Sequence, residues 1–418
     1  MPVVDLNSLL QPYARFGVHL GLARIQQLLA RLGSPQEQVP IVHVAGSNGK
    51  GSVCAYVASI LTTAGYRVGR FTSPHLQDWT ERICINNHPI EPVALAQVLQ
   101  YIEERIPPDG DSPTQFEILT AAAFLYFAEQ RVDIAVIEVG LGGRLDATNV
   151  CDYPLVTAIT SISLEHWQRL GPTIADIARE KAGILKPRRP AVIAPLSPEA
   201  QAVVEARVAQ LNCEPVLWVT PAIAVSDQTA RYGELEFERT LLGDFQLTNA
   251  AVAIAIIEQL QLKNWQITAQ QIQTGLKQTQ WLGRLHWSEW RGQPLLIDGA
   301  HNPEAAEALG RYVETLAAQR IWVMGMLMTK DHRDIFAALL KPGDHLWLTS
   351  VPDHQSELPA KLAKLAQDVC PELASCQTAS NVFTALEQAQ QITDGVHVLC
   401  GSLYLIGHFL ANSTPDND

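Results

Sequence analysis

Several features that mark whole classes of protein are missing from this sequence. No apolar run approaches the roughly 20 residues needed to cross a bilayer, so no membrane-spanning helix is expected. Met1-Pro2-Val3-Val4-Asp5 opens no charged-then-apolar leader, and no secretory signal is expected. Cysteine is sparse: Cys54, Cys84, Cys151, Cys213, Cys370, Cys376 and Cys400. Their odd number and scattered spacing match neither a zinc site nor a disulfide framework, and point to a reducing, cytoplasmic setting. Basic residues are outnumbered, 30 Lys and Arg against 43 Asp and Glu, for a formal net charge of −13. That balance argues against nucleic acid or an anionic membrane as partner, and leaves room for local basic pockets that take small anions. Internal repeats and low-complexity tracts are absent too.

What is present is globular: 47% hydrophobic residues and 17% charged ones over 418 positions. That length exceeds one ordinary core and predicts two domains. The chain is organised around residues 41–52, Ile-Val-His-Val-Ala-Gly-Ser-Asn-Gly-Lys-Gly-Ser. A short apolar run ends on small residues, as a buried strand does. Beyond Ser52, the residues Val53, Val57, Ile60, Leu61 and Ala64 repeat at helical spacing. Backbone N–H groups in such a turn, with the positive end of the helix, form a cradle for phosphate oxygens. Lys50 adds a mobile positive charge above it. The spacing departs from G-x-x-x-x-G-K-[ST], because Val44 stands at the first glycine and Gly51 separates Lys50 from Ser52. A plain tight connection is the alternative; the lysine in register favours a nucleoside triphosphate.

Further strands and turns carry polar residues at their ends. Arg67–Phe71 reads as a strand running into Thr72-Ser73-Pro74-His75-Leu76, where Pro74 keeps Ser73 out of helical geometry. Thr114 and Glu117 form a capping box at the head of an apolar helix. Val132 to Val139 is a nearly continuous aliphatic strand whose one discordant residue is Glu138, close to the edge where parallel sheets bind ligands. A carboxylate there has the Walker-B arrangement, an oxygen ligand for a magnesium that bridges phosphates. Leu155–Thr160 is the next strand and leads to Glu165-His166. A helix from Gly171-Pro172 runs through Lys181 to Ile184, with Lys181 on the inward stripe of Ile174 and Ile177. Snorkelling to solvent, or pairing with a carboxylate such as Glu138, are the ordinary fates of that lysine. Past Trp281-Leu282-Gly283-Arg284-Leu285, a candidate hinge, the rhythm restarts with strands at 295–298, 321–326, 346–349 and 396–400. It predicts a second, smaller doubly wound sheet with Asp298 and His301 at its first strand's end. Asn412–Asp418 reads as a polar tail without structure.

Taken together, A-G-S-N-G-K-G-S, T-S-P-H-L, T-Q-F-E, E-V-G-L-G-G-R-L-D-A-T-N and E-K-A-G-I resemble the folylpolyglutamate synthases. That family is often bifunctional as dihydrofolate synthase and belongs to the Mur-type peptide ligases. The matching motifs run from Leu20 to Pro303. The resemblance implies an α/β protein: an N-terminal P-loop NTPase-like domain with a mostly parallel sheet, residues 1–285, and a smaller C-terminal Rossmann-like domain, residues 286–418. The activity implied is ATP-dependent addition of L-glutamate to dihydropteroate or reduced folates through an acyl phosphate, by a monomer that uses two magnesium ions. By the same resemblance, Ser47, Asn48, Gly49, Lys50, Gly51 and Ser52 hold ATP, together with Asn249, Arg284 and Asp298. Ser73, Glu138 and His166 hold metal with Lys181 as its carbamate; Lys50, Lys181 and His301 serve catalysis. Leu20-Gly21-Leu22, Thr114-Gln115-Phe116-Glu117 and Leu145-Asp146-Ala147 line the pteroate site. Ser47 replaces the usual threonine, and Glu165-His166 the usual Asp-His. Two rivals stay open: a Mur-type ligase acting on cell-wall precursors, and an ATPase switch for a protein partner.

Overall fold

The computed structural model describes residues 5–14, 20–107, 112–316 and 319–413. Gly17-Val18-His19 and the tail beyond Ser413 lie outside the described residues. Two compact units account for the chain: residues 1–74, 79–240 and 246–279 form the first, and residues 75–78, 241–245 and 280–418 the second. No described helix is long and apolar enough to cross a membrane.

The first unit is built on an eight-stranded sheet. In chain order its strands are β1 (Ile41–Ala45), β2 (Val68–Phe71), β3 (Ile83–Ile85), β4 (His88–Pro89), β5 (Ile134–Glu138), β6 (Val156–Ile159), β7 (Ala191–Ile193) and β8 (Val216–Trp218). The spatial order is β4-β3-β2-β5-β1-β6-β7-β8. β2, β5, β1, β6, β7 and β8 pair in parallel, with β3 and β4 antiparallel at one edge. Every residue of β1 and β5 is buried, which explains why the parallel centre reads as unbroken aliphatics. A separate three-stranded antiparallel sheet holds β9 (Ile223–Ala224), β10 (Thr229–Tyr232) and β11 (Leu235–Glu238).

Ten helices belong to this unit among the described residues: α1 (Leu6–Ala14), α2 (Ala23–Arg31), α3 (Lys50–Thr63), α4 (Pro92–Glu103), α5 (Gln115–Glu129), α6 (Trp167–Leu170), α7 (Ile174–Lys181), α8 (Pro198–Leu211), α9 (Phe245–Gln261) and α10 (Ala269–Gln278). The core packed by α1, α2, α4 and α5 contains Leu10, Ile25, Leu29, Leu95, Phe124 and Phe127. α5 starts where expected, with Thr114 and Glu117 closing a reciprocal capping box. α7 differs from the sequence reading. It begins at Ile174, because Thr173 and Asp176 form a capping box of their own, and ends at Lys181 before a single 3₁₀ turn. α9 begins at Phe245, which places Asn249 inside the helix rather than at its start.

The second unit carries a six-stranded mixed sheet of β12 (His286–Trp290), β13 (Gln293–Asp298), β14 (Arg320–Met324), β15 (His345–Leu348), β16 (Ser375–Thr378) and β17 (Val396–Cys400), in the order β12-β13-β17-β14-β15-β16. All pairs are parallel except β12–β13. Helices α11 (Pro303–Glu314), α12 (His332–Leu339) and α13 (Pro359–Val369) bury Leu309, Phe336 and Leu362 in one core with Trp322. α14 (Val382–Ala389) and α15 (Leu403–Asn412) bury Leu386, Ile406 and Phe409 in another, with Ile297 and Leu399. Helices cover both faces, the doubly wound arrangement read from the sequence.

Candidate active site

The loop from β1 to α3 has the backbone a phosphate cradle needs. Gly49, at φ +84°, is the N-cap of α3, a helix whose first N–H groups have no intrahelical acceptor. Side chains are excluded at two glycines: a methyl on Gly46 would strike Thr160 Oγ1, and one on Gly49 would strike Asn249 Oδ1. The loop is stitched to the segment after β6. Ser47 N donates to Ser161 O at 2.8 Å, Asn48 N to Ser161 Oγ at 2.9 Å, and Ser163 N to Ser47 Oγ at 3.0 Å. Buried Ser47 therefore fastens the loop, while Asn48 through Gly51 remain partly accessible. Asn249 lies beside Gly49 and donates to Gln246 Oε1 at 2.9 Å; Gln246 donates to Ser52 Oγ at 3.3 Å.

Two lysines converge on one carbonyl. Lys50 Nζ donates to Gly46 O at 2.8 Å and Ser47 O at 2.9 Å, and Lys181 Nζ donates to the same Gly46 O at 2.8 Å. Lys181 is buried, 1% exposed, as its place on the inward stripe predicts. It pairs with Glu165 Oε1 at 2.7 Å, so a carboxylate partner, one of the two ordinary fates read from the sequence, is what the fold supplies. Burial raises the Glu165 carboxyl, but the Lys181 ammonium, then Lys50, outweigh burial and hold it well below its ordinary range. Glu138 sits buried at the end of β5, next to β2, and accepts a bond from Ser73 N at 3.0 Å. His166 follows β6 as the exposed residue ahead of α6.

The pteroate segments named from the sequence meet as well. Gly21 N donates to Leu145 O at 3.2 Å, joining Leu20–Leu22 to Leu145–Ala147. Phe116 lies against Gly140 and packs 5.9 Å from the Phe71 ring, bringing Thr114–Glu117 to the same loop. Gln115 reaches Leu10 O at 3.4 Å. Asp146 accepts from Leu141 N at 2.8 Å, Thr148 N at 3.0 Å and Thr148 Oγ1 at 2.5 Å, which fixes the turn that presents Leu145 and Ala147. Burial pushes the Asp146 carboxyl above its ordinary value against the pull of those bonds.

Sequence reasoning missed two anchors here. Arg24 pairs through Nε with buried Glu117 Oε2 at 3.2 Å. His43, on β1, contacts Thr148 Oγ1 through Nε2 at 2.9 Å. Because Thr148 donates its proton to Asp146, His43 must donate through Nε2–H, and burial with the Lys186 charge lowers its pKa to about 3.

In the second unit, Asp298 ends β13 and fastens the turn around it. Oδ2 accepts from Leu285 N at 2.8 Å and Oδ1 from Ala300 N at 2.8 Å. Burial raises the Asp298 carboxyl, opposed by the nearby Arg284 charge and these two bonds. A methyl on Gly299 would strike Arg284 Nη1, so the guanidinium lies over this turn. His301 Nδ1 contacts Gly299 O at 2.7 Å. Arg284, Asp298 and His301 are thus brought together.

Comparison with known proteins gives the family. The Mur ligase middle domain matches residues 44–257, and the C-terminal domain of dihydrofolate synthetase matches residues 285–412. A dihydrofolate synthase/folylpolyglutamate synthase of Bacillus subtilis is 40% identical over 355 residues, 80% of this chain and 82% of that protein. The chain belongs to the folylpolyglutamate/dihydrofolate synthase family. Among solved structures, a Mycobacterium tuberculosis folylpolyglutamate synthase complexed with ADP and AMPPCP superposes with TM-score 0.86 at 31% identity, over 99% of this chain and 100% of that one. E. coli FolC in complex with DHPP and ADP superposes with TM-score 0.83 at 27% identity, over 97% of this chain and 95% of that one.

Enzymes of the folylpolyglutamate/dihydrofolate synthase family imply a magnesium ion, which takes hard oxygen ligands. Glu138 and Ser73 offer a carboxylate and a hydroxyl from the ends of adjoining parallel strands, a donor set that fits. Among the described residues, no group of three or more His, Cys, Asp and Glu forms a metal cage by itself. Magnesium that keeps water and phosphate oxygens needs no such cage.

Proposed function

We propose that this chain adds L-glutamate to dihydropteroate and to reduced folates, with ATP as co-substrate. The observation that carries the reading is the first unit's sheet edge. There a phosphate-type turn, two lysines on one loop carbonyl and a strand-end carboxylate adjoin loop 140–149, which the pteroate segments share. A carboxylate is a poor electrophile, so its phosphorylation by ATP must precede attack by the glutamate amine. Lys50 would leave Gly46 O and Ser47 O to meet the charge that builds on the transferring phosphoryl oxygens. Ser73 and Glu138, with His166, would hold magnesium, which when bound neutralises phosphate charge. Loop 140–149 would orient the pteroate against that phosphate, and correct alignment of reactants supplies much of the rate. Arg284 and Asp298 would contribute to ATP, with His301 beside them. A monomer suffices for this scheme.

Lys181 is proposed to carry a carbamate in the working enzyme. Its burial disfavours an ammonium, and a neutral lysine amine takes up carbon dioxide. The competing state is the ion pair with Glu165. A high-resolution structure with bicarbonate, magnesium and nucleotide decides between them: an unmodified Lys181 amine rejects the carbamate. For the reaction itself, ADP release is measured with dihydropteroate or tetrahydrofolate, with and without L-glutamate. Release that needs both pterin substrate and glutamate supports the ligase; release indifferent to both marks an ATPase switch.

A further inference from the structure

Loop 140–149 and the helix end that bears Lys181 lie too close together for side chains at the glycines between them. A side chain on Gly143 would come within 2.8 Å of Glu180 O and 3.1 Å of Lys181 O, and one on Gly183 would strike the Arg144 side chain. Backbone and side chain both tie the two segments. Arg144 N donates to Glu180 O at 2.8 Å, and Asn149 Nδ2 donates to Arg144 O and Gly183 O, each at 3.1 Å. Over this contact Arg144 places Nε at 3.0 Å and Nη2 at 2.7 Å from Glu180 Oε1. On either side lie groups the ligase reading uses. Leu145, next to Arg144, receives the bond from Gly21 of the pteroate segment; Lys181, next to Glu180, reaches the phosphate loop at Gly46 O.

We infer that Arg144 is a positioning residue: its pair with Glu180 holds the pteroate loop in register with the phosphate loop through the turn that bears Lys181. This rests on the ligase reading above. Neither residue needs to touch substrate. The Arg144 side chain is 52% exposed, and exposed pairs add little to global stability. The effect is therefore on alignment, where a small displacement costs rate steeply.

The test compares R144Q, E180Q, their double variant and the charge swap R144E/E180R with the wild-type chain. Readouts are kcat and KM for the pterin substrate, the thermal midpoint, and amide hydrogen exchange across 141–149. Each single variant is expected to lose roughly tenfold in kcat/KM, as misaligned reactants do, with a midpoint within a few degrees of wild type. The double variant should lose no more than either single one, and the swap should recover most of the loss. Wild-type kinetics in both single variants, or losses that multiply in the double, overturn the inference. A swap that melts like wild type yet works no better than E180Q also overturns it, and this arm serves if R144Q folds poorly. Hydrogen exchange needs no turnover: exchange in 141–149 should quicken in R144Q, and unchanged exchange rejects the clamp. A wild-type chain inactive on every pterin substrate would instead reject the ligase reading.

Discussion

The two units end their parallel sheets in similar ways and use the carboxylates there differently. In the first, Glu165 touches the Lys181 ammonium and is held well below its ordinary pKa. In the second, Asp298 accepts two backbone N–H groups near Arg284, and burial raises it. Asp146, although in the first unit, belongs with Asp298, because it too fastens a turn through backbone N–H groups and is raised by burial. The difference separates two jobs. Carboxylates that bind N–H groups shape loops, whereas Glu165 balances the lysine charge gathered at Gly46 O.

The comparison breaks most sharply at Lys50. K50A is expected to lose at least about a thousandfold in ADP release, the scale of a missing charge at a phosphoryl transition state, with an unchanged melting temperature. Near-normal turnover would remove the first unit's edge from the chemistry. Next comes E165Q, which leaves the buried Lys181 ammonium without its partner and should cost about 3 kcal/mol in denaturant unfolding at pH 7. Its pH dependence follows from the sign of the shift. A lowered folded-state pKa stabilises fully above the unfolded value of 4.5, and that gain is lost as pH falls through the folded value. Wild type and E165Q should therefore converge in strong acid; a gap independent of pH would contradict the pair.

D298N probes the other kind of carboxylate. One backbone N–H would face an amide NH₂ instead of an acceptor, at a cost of about 1–3 kcal/mol in unfolding. An unperturbed midpoint would show that Asp298 does not fasten its turn. At neutral pH the smallest effect belongs to H43Q, whose influence grows only in acid. His43 is lowered from 6.5 to about 3, so the unfolded chain takes up a proton between those values that the folded one refuses, and acid destabilises the fold. Replacing it should flatten the stability slope there by up to about 1.4 kcal/mol per pH unit. An identical slope in wild type and H43Q would assign the acid limb elsewhere.

The central strands were legible because burial on both faces writes itself as aliphatic runs; 396–400 was read with the bounds that β17 shows. The edge strands of the second unit's sheet were not. β12, His-Trp-Ser-Glu-Trp, and β16, Ser-Cys-Gln-Thr, have no wholly buried run, and nothing in their composition separates them from loops. Helix ends were read wrongly where a cap lay outside the recognised motif, as at Thr173. The site residues stood out where chemistry is concentrated in short motifs. Their supports did not: Arg24 and Glu117 are 93 residues apart, His43 and Thr148 105, and Arg144 and Glu180 36. Spacing along one chain cannot pair residues that only the sheet order brings together.

The most direct test of the account follows oxygen rather than rate. The pterin substrate is labelled with ¹⁸O in its reacting carboxylate and turned over with ATP and L-glutamate, and the released phosphate is weighed by mass spectrometry. Phosphorylation of that carboxylate predicts one ¹⁸O in each phosphate formed. Glutamylated product accompanied by phosphate without label would contradict it.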